Sequence, residues 1–350
     1  MSVEAQPSQI LIKSLRVQNF RRHQDFSLDL DNKNTIITGE NGSGKTSLIE
    51  AIYIALAGKS WRSNFSEITR RGAKWWRADV ELGHEKRVIK FQNQQKQFKI
   101  DGDESKILPK TKRRQTVLFE PNHLNLLSGS PSRRRDFFDK LIADQNYSYQ
   151  KTLRQFDRVL KQRNTLLKNA APRDQLFTWD IQFTNLAAEI VAARRQTIDK
   201  INQTISDEYQ KIAFKNDKIQ LAYDYYSDSF AVNRQTILDE LTRNFSREVA
   251  CGHTSIGPHQ HDISFVFNSK PAELTVSRGE NRTIILALKK IEYEMKKSTR
   301  PLILLDDILS EFDEKHQRNL MKSFFDNQVI ITSVKAIKNH KFKEVKIQNV

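Results

Sequence analysis

Two continuous apolar runs, far apart in the chain, predict buried strands. Residues 35–38 form the first, and residues 301–305 form the second, which ends on the acidic pair Asp306 and Asp307. Such a run is typical of a strand that is covered on both faces in a parallel sheet. Helical periodicity follows the first run from residue 47 to residue 57 and stops at Gly58, so a strand–turn–helix unit is predicted there.

The middle of the chain has the pattern of long helices. Apolar residues recur at helical spacing from residue 133 to about residue 168, and again from residue 180 to about residue 214. The segment Ala171-Pro172-Arg173-Asp174 separates the two stretches. Arms of this length are too short for an extended coiled coil, so the pattern predicts a compact helical lobe.

The turn that follows the first strand matches the phosphate-loop pattern G-x-x-x-x-G-K-[ST], in the structural context that the pattern requires. Its glycines allow close approach of a phosphate chain, which backbone N–H groups and the helix dipole would bind. Lys45 is expected to reach the β- and γ-phosphates of a nucleotide, and the Thr46 hydroxyl to ligate Mg²⁺. A plain glycine-rich turn is the structural alternative. The predicted nucleotide-binding residues are Gly39, Glu40, Asn41, Gly42, Ser43, Gly44, Lys45, Thr46 and Ser47.

A magnesium site also needs a carboxylate. Asp306 is expected to hold the metal through its water shell, as the Walker B aspartate of phosphate-loop proteins does, with Thr46 as the other metal-binding residue. Asp307 is then placed to orient the attacking water. The alternative is an acidic pair that closes a core strand at the protein surface.

A second motif, Ser277-Arg278-Gly279-Glu280, stands directly before a periodic helix and resembles the signature sequence of the ABC ATPase superfamily. That resemblance implies that the motif of one subunit closes on the nucleotide of another, with Ser277 against the γ-phosphate in trans. Ser310, Glu311 and Asp313 look like the D-loop, which contacts the partner subunit in these families. The predicted catalytic residues are Lys45, Ser277 and Asp307.

Four segments, one of which is the Ser277 motif, resemble the RecF family of bacterial recombination mediators. They are Leu15-Arg16-Val17-Gln18-Asn19-Phe20-Arg21, residues 119–139 with Pro131-Ser132-Arg133-Arg134-Arg135, Ser255-Ile256-Gly257-Pro258-His259-Gln260-His261-Asp262, and the Ser277 motif. The resemblance implies an α/β fold: an ABC-type P-loop ATPase head with a mixed or parallel sheet and helices, and an inserted, mainly helical lobe. The expected divisions are a flexible N-terminus at 1–9, the head at 10–130 and 250–350, and the lobe at 131–249.

Several positions depart from the family pattern. His123 stands where an acidic residue is common, Gln260 and His261 where Arg and Asp are usual, and Glu280 where Gln is commoner. A glutamate at 280 adds negative charge near a neighbouring γ-phosphate, which would weaken closure unless Arg278 or Arg282 offsets it. Since no switch histidine follows residues 328–333, hydrolysis is expected to be slow.

The charge of the chain favours a polyanionic partner. Its formal net charge is +16, from 58 Lys and Arg against 42 Asp and Glu, which is more than a nucleotide explains. Without a basic stripe that is interleaved with aromatic residues, or an evident base-reading helix, contacts to duplex phosphates are expected. For each basic cluster a solvated face is the alternative. The candidate DNA contacts are Arg21, Arg22, Lys112, Arg113 and Arg114, and a helical run with Arg154, Arg158, Lys161, Arg163 and Lys168.

Resemblance to the RecF family further implies a function in recombinational repair and replication. The expected protein binds ATP and Mg²⁺, forms an ATP-dependent homodimer on double-stranded or gapped DNA, and assists recombinase loading with RecO-type and RecR-type partners in the SOS response. A cytoplasmic, nucleoid-associated protein is expected, since no apolar run approaches the roughly 20 residues of a membrane helix. With Cys251 as its one cysteine, the chain forms no internal disulfide. Two alternatives stay open: the ATPase subunit of a transporter, and a DNA-binding scaffold that has lost turnover.

Overall fold

The computed structural model describes residues 11–30, 34–224, 233–314, 317, 324, 327–334 and 342–347. The expected flexible N-terminus, residues 1–9, lies outside this part of the chain. The chain divides into two compact units: unit 1 comprises Met1–His123 and Glu292–Val350, and unit 2 comprises Leu124–Ile291. Unit 2 is therefore continuous in sequence, whereas unit 1 is assembled from the two ends.

The described segments form the following strands and helices. The strands are β1 (Ile12–Phe20), β2 (His23–Asp29), β3 (Asn34–Thr38), β4 (Trp75–Leu82), β5 (Glu85–Gln92), β6 (Gln95–Ile100), β7 (Asp103–Ser105), β8 (Thr116–Phe119), β9 (Ile219–Asp224), β10 (Asp262–Phe267), β11 (Lys270–Pro271), β12 (Leu302–Asp306), β13 (Val329–Ser333) and β14 (Lys343–Lys346). The helices are α1 (Lys45–Ala57), α2 (Phe65–Ile68), α3 (Pro131–Gln145), α4 (Tyr147–Lys168), α5 (Arg173–Asn202), α6 (Ile205–Ala213), α7 (Arg234–Cys251), α8 (Ala272–Thr275) and α9 (Arg278–Lys296).

A five-stranded parallel sheet forms the centre of unit 1, with the order β14-β3-β13-β12-β8. Every residue of β3, β12 and β13 is buried, as their apolar runs predict. The helix α1 contacts strands of this sheet and also β1, β4 and β5, which explains why it is apolar on nearly all sides. The predicted strand–turn–helix unit is thus confirmed, and α1 ends at Gly58, whose φ is 75°.

Unit 1 also contains a six-stranded antiparallel sheet with the order β2-β1-β4-β5-β6-β7. Along β4, buried residues alternate with half-buried ones, because successive side chains point to opposite faces. The buried face includes Trp76, which makes edge or stacked contacts with Phe20 and Phe91. Gln328, directly before β13, connects that strand to the start of β1. Its side chain accepts a hydrogen bond from Ile12 N and donates one to Ile12 O, both at 2.8 Å.

Unit 2 consists mainly of helices, as the periodicity predicts. The first periodic stretch is divided at Asn146, whose side chain caps α4 by accepting a hydrogen bond from Tyr149 N. The antiparallel pair α4 and α5 packs with α7 around a core that includes Phe156 and Phe183. A small antiparallel sheet, β11-β10-β9, completes the unit.

The boundaries of the two units differ from those of the domains that the sequence predicts. Residues 250–291, which carry the Ser277 motif, belong to unit 2 by their contacts, whereas the sequence assigns residues 250–350 to the ATPase head. The functional limits of head (10–130 and 250–350) and lobe (131–249) therefore stay predictions. Within the described ranges, no helix is both long enough and apolar enough to cross a bilayer.

Candidate nucleotide site

The phosphate loop is a tight turn between β3 and α1. Gly42 and Gly44 have φ of 80° and 95°, a backbone conformation that favours glycine. A Cβ on Gly44 would lie 2.3 Å from His23 Nε2, and one on Gly39 would lie 2.7 Å from Ser43 Oγ. His23 also hydrogen-bonds Gly44 O at 3.1 Å. The shape of the turn therefore depends on its glycines and on the contact with His23.

Lys45 is almost fully buried at the start of α1. Its ammonium donates hydrogen bonds to Gly39 O at 2.9 Å and Glu40 O at 3.0 Å, and lies 4.0 Å from Asp307 Oδ2. These contacts hold the positive charge over the mouth of the loop. That is the position from which a lysine can contact terminal phosphates.

Thr46 and Asp306 meet although 260 positions separate them. Thr46 Oγ1 donates to Asp306 Oδ1 at 2.8 Å, and Thr332 Oγ1 donates to the same oxygen at 2.9 Å. Burial raises the pKa of Asp306 above its ordinary value, and the two hydroxyl donors only partly oppose that rise. The carboxylate is thus fixed beside the phosphate loop at the end of β12.

The donor set fits Mg²⁺ bound with a nucleotide. Mg²⁺ usually takes one or two protein oxygens and completes its shell with water and phosphate. The adjacent oxygens of Thr46 and Asp306 supply such a pair, and the described residues contain no group of three or more His, Cys, Asp or Glu side chains that would bind a metal by itself. Asp307 Oδ1 is buried and has no hydrogen-bond partner, which is unusual for a buried polar oxygen.

Asp307 is oriented by its backbone. Its φ is 52°, and its N–H donates to Thr332 Oγ1 at 2.9 Å. Ser310 Oγ donates to Asp307 O at 2.8 Å, which connects the predicted D-loop to the acidic pair. Ser310 and Asp313 are exposed, Glu311 is half-buried, and the intervening Phe312 packs against Phe119. The exposed residues of this segment are accessible to another molecule.

The signature-like motif forms the beginning of α9. Ser277 N and Oγ both donate to Glu280 Oε2 at 2.9 Å, and Glu280 N donates back to Ser277 Oγ at 3.3 Å. This is a capping box, the reciprocal arrangement of Ser and Glu at a helix N-terminus. Lys215 lies 3.2 Å from Glu280. The hydrogen bond from Ser277 N, the hydroxyl of Ser277 and Lys215 lower the pKa of Glu280.

Arg278 and Gly279 lie on the exposed surface at the same helix start. A Cβ on Gly279 would meet nothing within 4 Å. The surface over the motif is therefore open to a ligand or a second subunit. Lys45, Thr46, Asp306 and Asp307 belong to unit 1 and the Ser277 motif to unit 2.

The candidate DNA contacts have different surroundings. Arg21 donates to both carboxylate oxygens of Glu50, which is completely buried in α1. Arg22 is exposed and lies near Gly42 and Gly44. Lys112 forms an ion pair with Glu85 at 2.8 Å. Arg113 and Arg114 are half-buried, so Arg22 is the one residue of the five that is classed as exposed.

Arg163 is not a surface residue of the basic helical run. It is completely buried, and its guanidinium donates to Asp180 Oδ1 at 2.7 Å and to Thr254 Oγ1 at 2.7 Å. Glu248 lies 2.7 Å from the same side chain. The expectation that Arg163 contacts DNA is therefore wrong in this structure, because its charge neutralises buried carboxylates.

Sequence reasoning did not find the residues that surround Glu50. Arg62 donates to Glu50 at 2.7 Å, and Ser60 and Arg21 donate to the same carboxylate. The positive charge of Arg62 also acts on Asp306. Ser60 and Arg62 follow α1 without a recognisable motif, so only the folded arrangement of α1 and its succeeding loop reveals them.

Comparisons with known proteins assign the family. Residues 11–348 match the model of the RecF/RecN/SMC N-terminal domain. The chain is 32% identical to the DNA replication and repair protein RecF of Ruminiclostridium cellulolyticum and 30% identical to that of Agathobacter rectalis, with 92% of each chain covered.

Solved structures agree with this assignment. A structure of the recombination mediator protein RecF with ATP in the RecFOR pathway has a TM-score of 0.86 and 25% identity, over 97% of this chain and 96% of that one. A Pyrococcus furiosus Smc head domain, at 15% identity and a TM-score of 0.54 over 97% of this chain and 94% of that one, shares the fold. The fold is thus that of an ABC-type ATPase head, and the chain belongs to the RecF family of DNA replication and repair proteins.

Proposed function

We propose that this protein is an ATP-dependent DNA-binding ATPase of recombinational repair, in which ATP brings two subunits together on DNA. The observation that carries the proposal is the contact of Thr46 with Asp306 beside Lys45, in a chain of the RecF family. The same fold in a RecF structure that contains ATP supports ATP as the ligand. The net charge of +16 supports DNA as the partner.

Each residue of the nucleotide site has a proposed function. Residues 39–47 hold the phosphates, with backbone N–H groups and the start of α1 as the anion-binding elements. Lys45 neutralises the β- and γ-phosphates, and Thr46 and Asp306 hold Mg²⁺, which polarises the phosphate oxygens when it is bound. Asp307, with its unpartnered buried oxygen, accepts a hydrogen bond from the attacking water.

Dimerisation completes the site. Ser277, Arg278, Gly279 and Glu280 of one subunit contact the nucleotide of the other, and Ser310, Glu311 and Asp313 contact the partner subunit. Ser277 Oγ must exchange its bond to Glu280 for one to the phosphate. Because ATP contacts both subunits in this arrangement, it shifts the equilibrium towards the dimer by mass action.

Hydrolysis is proposed to be slow and to time the release of DNA. The residue that follows β13 is Val334, so no histidine stands there to assist the reaction. The partners are RecO-type and RecR-type proteins at gapped DNA, and the site of action is the nucleoid in the cytoplasm. Family membership leaves the transporter alternative without a supporting observation.

Light scattering with ATP and Mg²⁺ tests the dimer. The wild-type chain is expected to double in mass on addition of ATP, whereas Lys45→Ala stays monomeric. A wild-type chain that binds ATP at micromolar concentration and remains monomeric contradicts the proposal.

The scaffold alternative is tested by phosphate release. Wild type and Lys45→Ala are expected to differ in rate, and equal rates would support a scaffold without turnover.

A further inference from the structure

The exposed face of α4 carries a row of positive charge. Its members follow one another three, four, three and seven positions apart, so they share one face of the helix, and Thr165 fills the single gap. The buried residues of α4, among them Phe156 and Val159, occupy the opposite face. We call this row the α4 stripe; it comprises Lys151, Arg154, Arg158, Lys161 and Lys168, all of them exposed.

The α4 stripe is unlike an ordinary solvated helix face. Such faces usually alternate positive and negative residues that pair at spacings of three and four. Here α4 contains a single acidic residue, Asp157, and in the described part of the protein the five stripe cations form no ion pair. Neighbouring like charges at these spacings destabilise a helix. An anionic partner would remove that repulsion.

Buried and exposed cations of α4 also have different environments. Arg163, on the buried face, is neutralised by Asp180 and Glu248. Carboxylates are thus placed where the fold itself needs to balance a charge. Among the described residues, Asp157 interacts with Lys161 through its charge but forms no ion pair with it, and the α4 stripe has no set of carboxylates like the one around Arg163. Most of its charge is therefore left available for a ligand outside the chain.

The dimensions and chemistry of the α4 stripe suit a duplex. The stripe extends over eighteen residues, from Lys151 to Lys168, which is about 26 Å of helix axis at about 1.5 Å per residue. Duplex DNA carries one phosphate charge per about 1.7 Å of its axis, so several phosphates lie within that length. Exposed Gln155 and Gln162 beside the stripe add neutral donors for phosphate oxygens.

We propose that the α4 stripe binds the phosphate backbone of duplex DNA without reading its sequence. This inference rests on the proposed function, because it specifies where the DNA of that function is held. An acidic protein surface is the competing occupant. The regular row of long cationic side chains favours DNA. Contacts to phosphates require positive charge and long side chains, whereas an acidic protein would need carboxylates at positions that match the row.

The test compares two variants that remove equal charge from unit 2. The stripe variant is R154Q/R158Q/K161Q/K168Q, and the matched control is K200Q/K218Q/R247Q/K270Q, whose four residues are also exposed. Glutamine keeps helix propensity and removes charge. Affinity for a fluorescent duplex of about 40 base pairs, long enough to span several helical turns of DNA, is measured by anisotropy with ATP and Mg²⁺ over a range of salt concentrations. Melting temperature reports folding.

The stripe variant is expected to bind roughly tenfold more weakly, or weaker still, at about 0.15 M salt, and its plot of log K against log salt is expected to flatten by about 0.9 for each phosphate that the protein no longer neutralises. The control variant should keep the wild-type slope. Equal slopes for the stripe variant and wild type overturn the inference and leave an acidic protein as the occupant. Failure of the wild type itself to bind duplex overturns the proposed function instead.

Discussion

At the residue scale, Asp306 carries its charge where the protein interior opposes it. The carboxyl is buried, and its pKa is raised above the ordinary value of 3.8. A carboxyl whose pKa is higher in the folded state contributes most to stability when it is protonated, below its unfolded pKa. That contribution is lost as the pH rises through the folded pKa.

Asp306→Asn is therefore expected to abolish phosphate release while it stabilises the chain by about 1 kcal/mol at pH 8 without nucleotide. The amide oxygen can still accept hydrogen bonds from Thr46 and Thr332, so the geometry survives. Thermal melting at pH 8 and pH 4 checks the sign, since the difference should shrink towards the acid end. Asp103→Asn, on exposed β7, is the control and should change the unfolding free energy by less than about 0.5 kcal/mol.

Glu50 illustrates the opposite case of a buried carboxyl. Burial opposes its ionisation, but hydrogen bonds from Arg21, Arg62 and Ser60 outweigh that effect and lower its pKa to about 2. A carboxyl with a lowered pKa stabilises the fold above its unfolded pKa, about 4.5, and the contribution is lost as the pH falls towards 2.

Glu50→Gln is expected to lower the free energy of unfolding by about 2–3 kcal/mol at pH 7, because it leaves Arg21 and Arg62 without their charged acceptor. Urea titrations at pH 7 and pH 3 measure this, and the loss should be smaller at pH 3. Glu67→Gln, in the neighbouring α2, serves as the matched variant with little expected effect. Equal losses at both positions would contradict the assignment.

The surroundings of an individual side chain can be predicted from the sequence only where the residue belongs to a local motif. Lys45 and Thr46 stand in a recognisable loop, so their environment is predictable. The sequence suggests a DNA contact for Arg21, because nothing in its neighbourhood shows that Glu50, 29 positions later, lies within 2.9 Å. Partners that are distant in the chain decide whether a cation is free, and a single sequence does not give them.

At the scale of elements, the capping box of α9 connects helix stability with the predicted trans contact. Glu280 forms an ion pair with Lys215, a residue 65 positions away that the sequence pattern does not suggest as its counter-charge. Removing Lys215 leaves the Glu280 carboxylate without this counter-charge, next to the proposed contact with a partner's γ-phosphate. Replacing Glu280 by Gln removes the charge and keeps the cap.

We therefore expect Lys215→Gln to weaken the ATP-dependent dimer and Glu280→Gln to strengthen it, each by a few-fold in dissociation constant, as exposed ion pairs contribute up to about 1 kcal/mol. Analytical ultracentrifugation with ATP and Mg²⁺ measures both. Glu280→Ala should also lower thermal stability, by about 1 kcal/mol, since it breaks the capping box. Identical dimer affinities in the Lys215 and Glu280 variants would exclude an electrostatic effect of this pair.

Helix α4 offers a contrast within a single element. Arg163→Ala is expected to cost about 3–5 kcal/mol of unfolding free energy, because Asp180 and Glu248 lose their buried counter-charge. Arg158→Ala, five positions earlier and exposed, should change it by less than about 0.5 kcal/mol. Chemical denaturation of the two variants makes the comparison, and similar losses would contradict the assigned burial.

Periodicity predicts most elements around the site but not how they pair. The buried runs of β3 and β12 and the long helices α4 and α5 are foreseeable from their patterns. The antiparallel sheet of β1, β2 and β4–β7 is not foreseeable in the same way. Alternation of buried and exposed residues predicts its strands, but it does not show which strands pair. The same alternation fits many registers, and the two-residue turns that join β4 to β5, β5 to β6 and β6 to β7 select one.

At the scale of the whole molecule, nucleotide binding and dimerisation should appear together in stability. ATP with Mg²⁺ at about a hundred times its dissociation constant is expected to stabilise the chain by about 2.7 kcal/mol. If ATP also assembles the dimer, the melting temperature with ATP rises with protein concentration, whereas without ATP it does not. Differential scanning fluorimetry over a wide range of protein concentration checks this, with Lys45→Ala as the variant that should show neither effect.

The connection between Ile12 and Gln328 has a consequence for synthesis on the ribosome. Unit 2 is continuous, so all of its residues have been synthesised before the last strands of unit 1 are made. Gln328, β12 and β13 come late in the chain. Until β13 pairs with β3, and β12 with β13, the Asp306 carboxylate has no place beside Thr46. Synthesis therefore completes the helical unit before the contact between Thr46 and Asp306 can form. Under the proposed function, an incompletely synthesised chain lacks the site through which ATP would bring two subunits together.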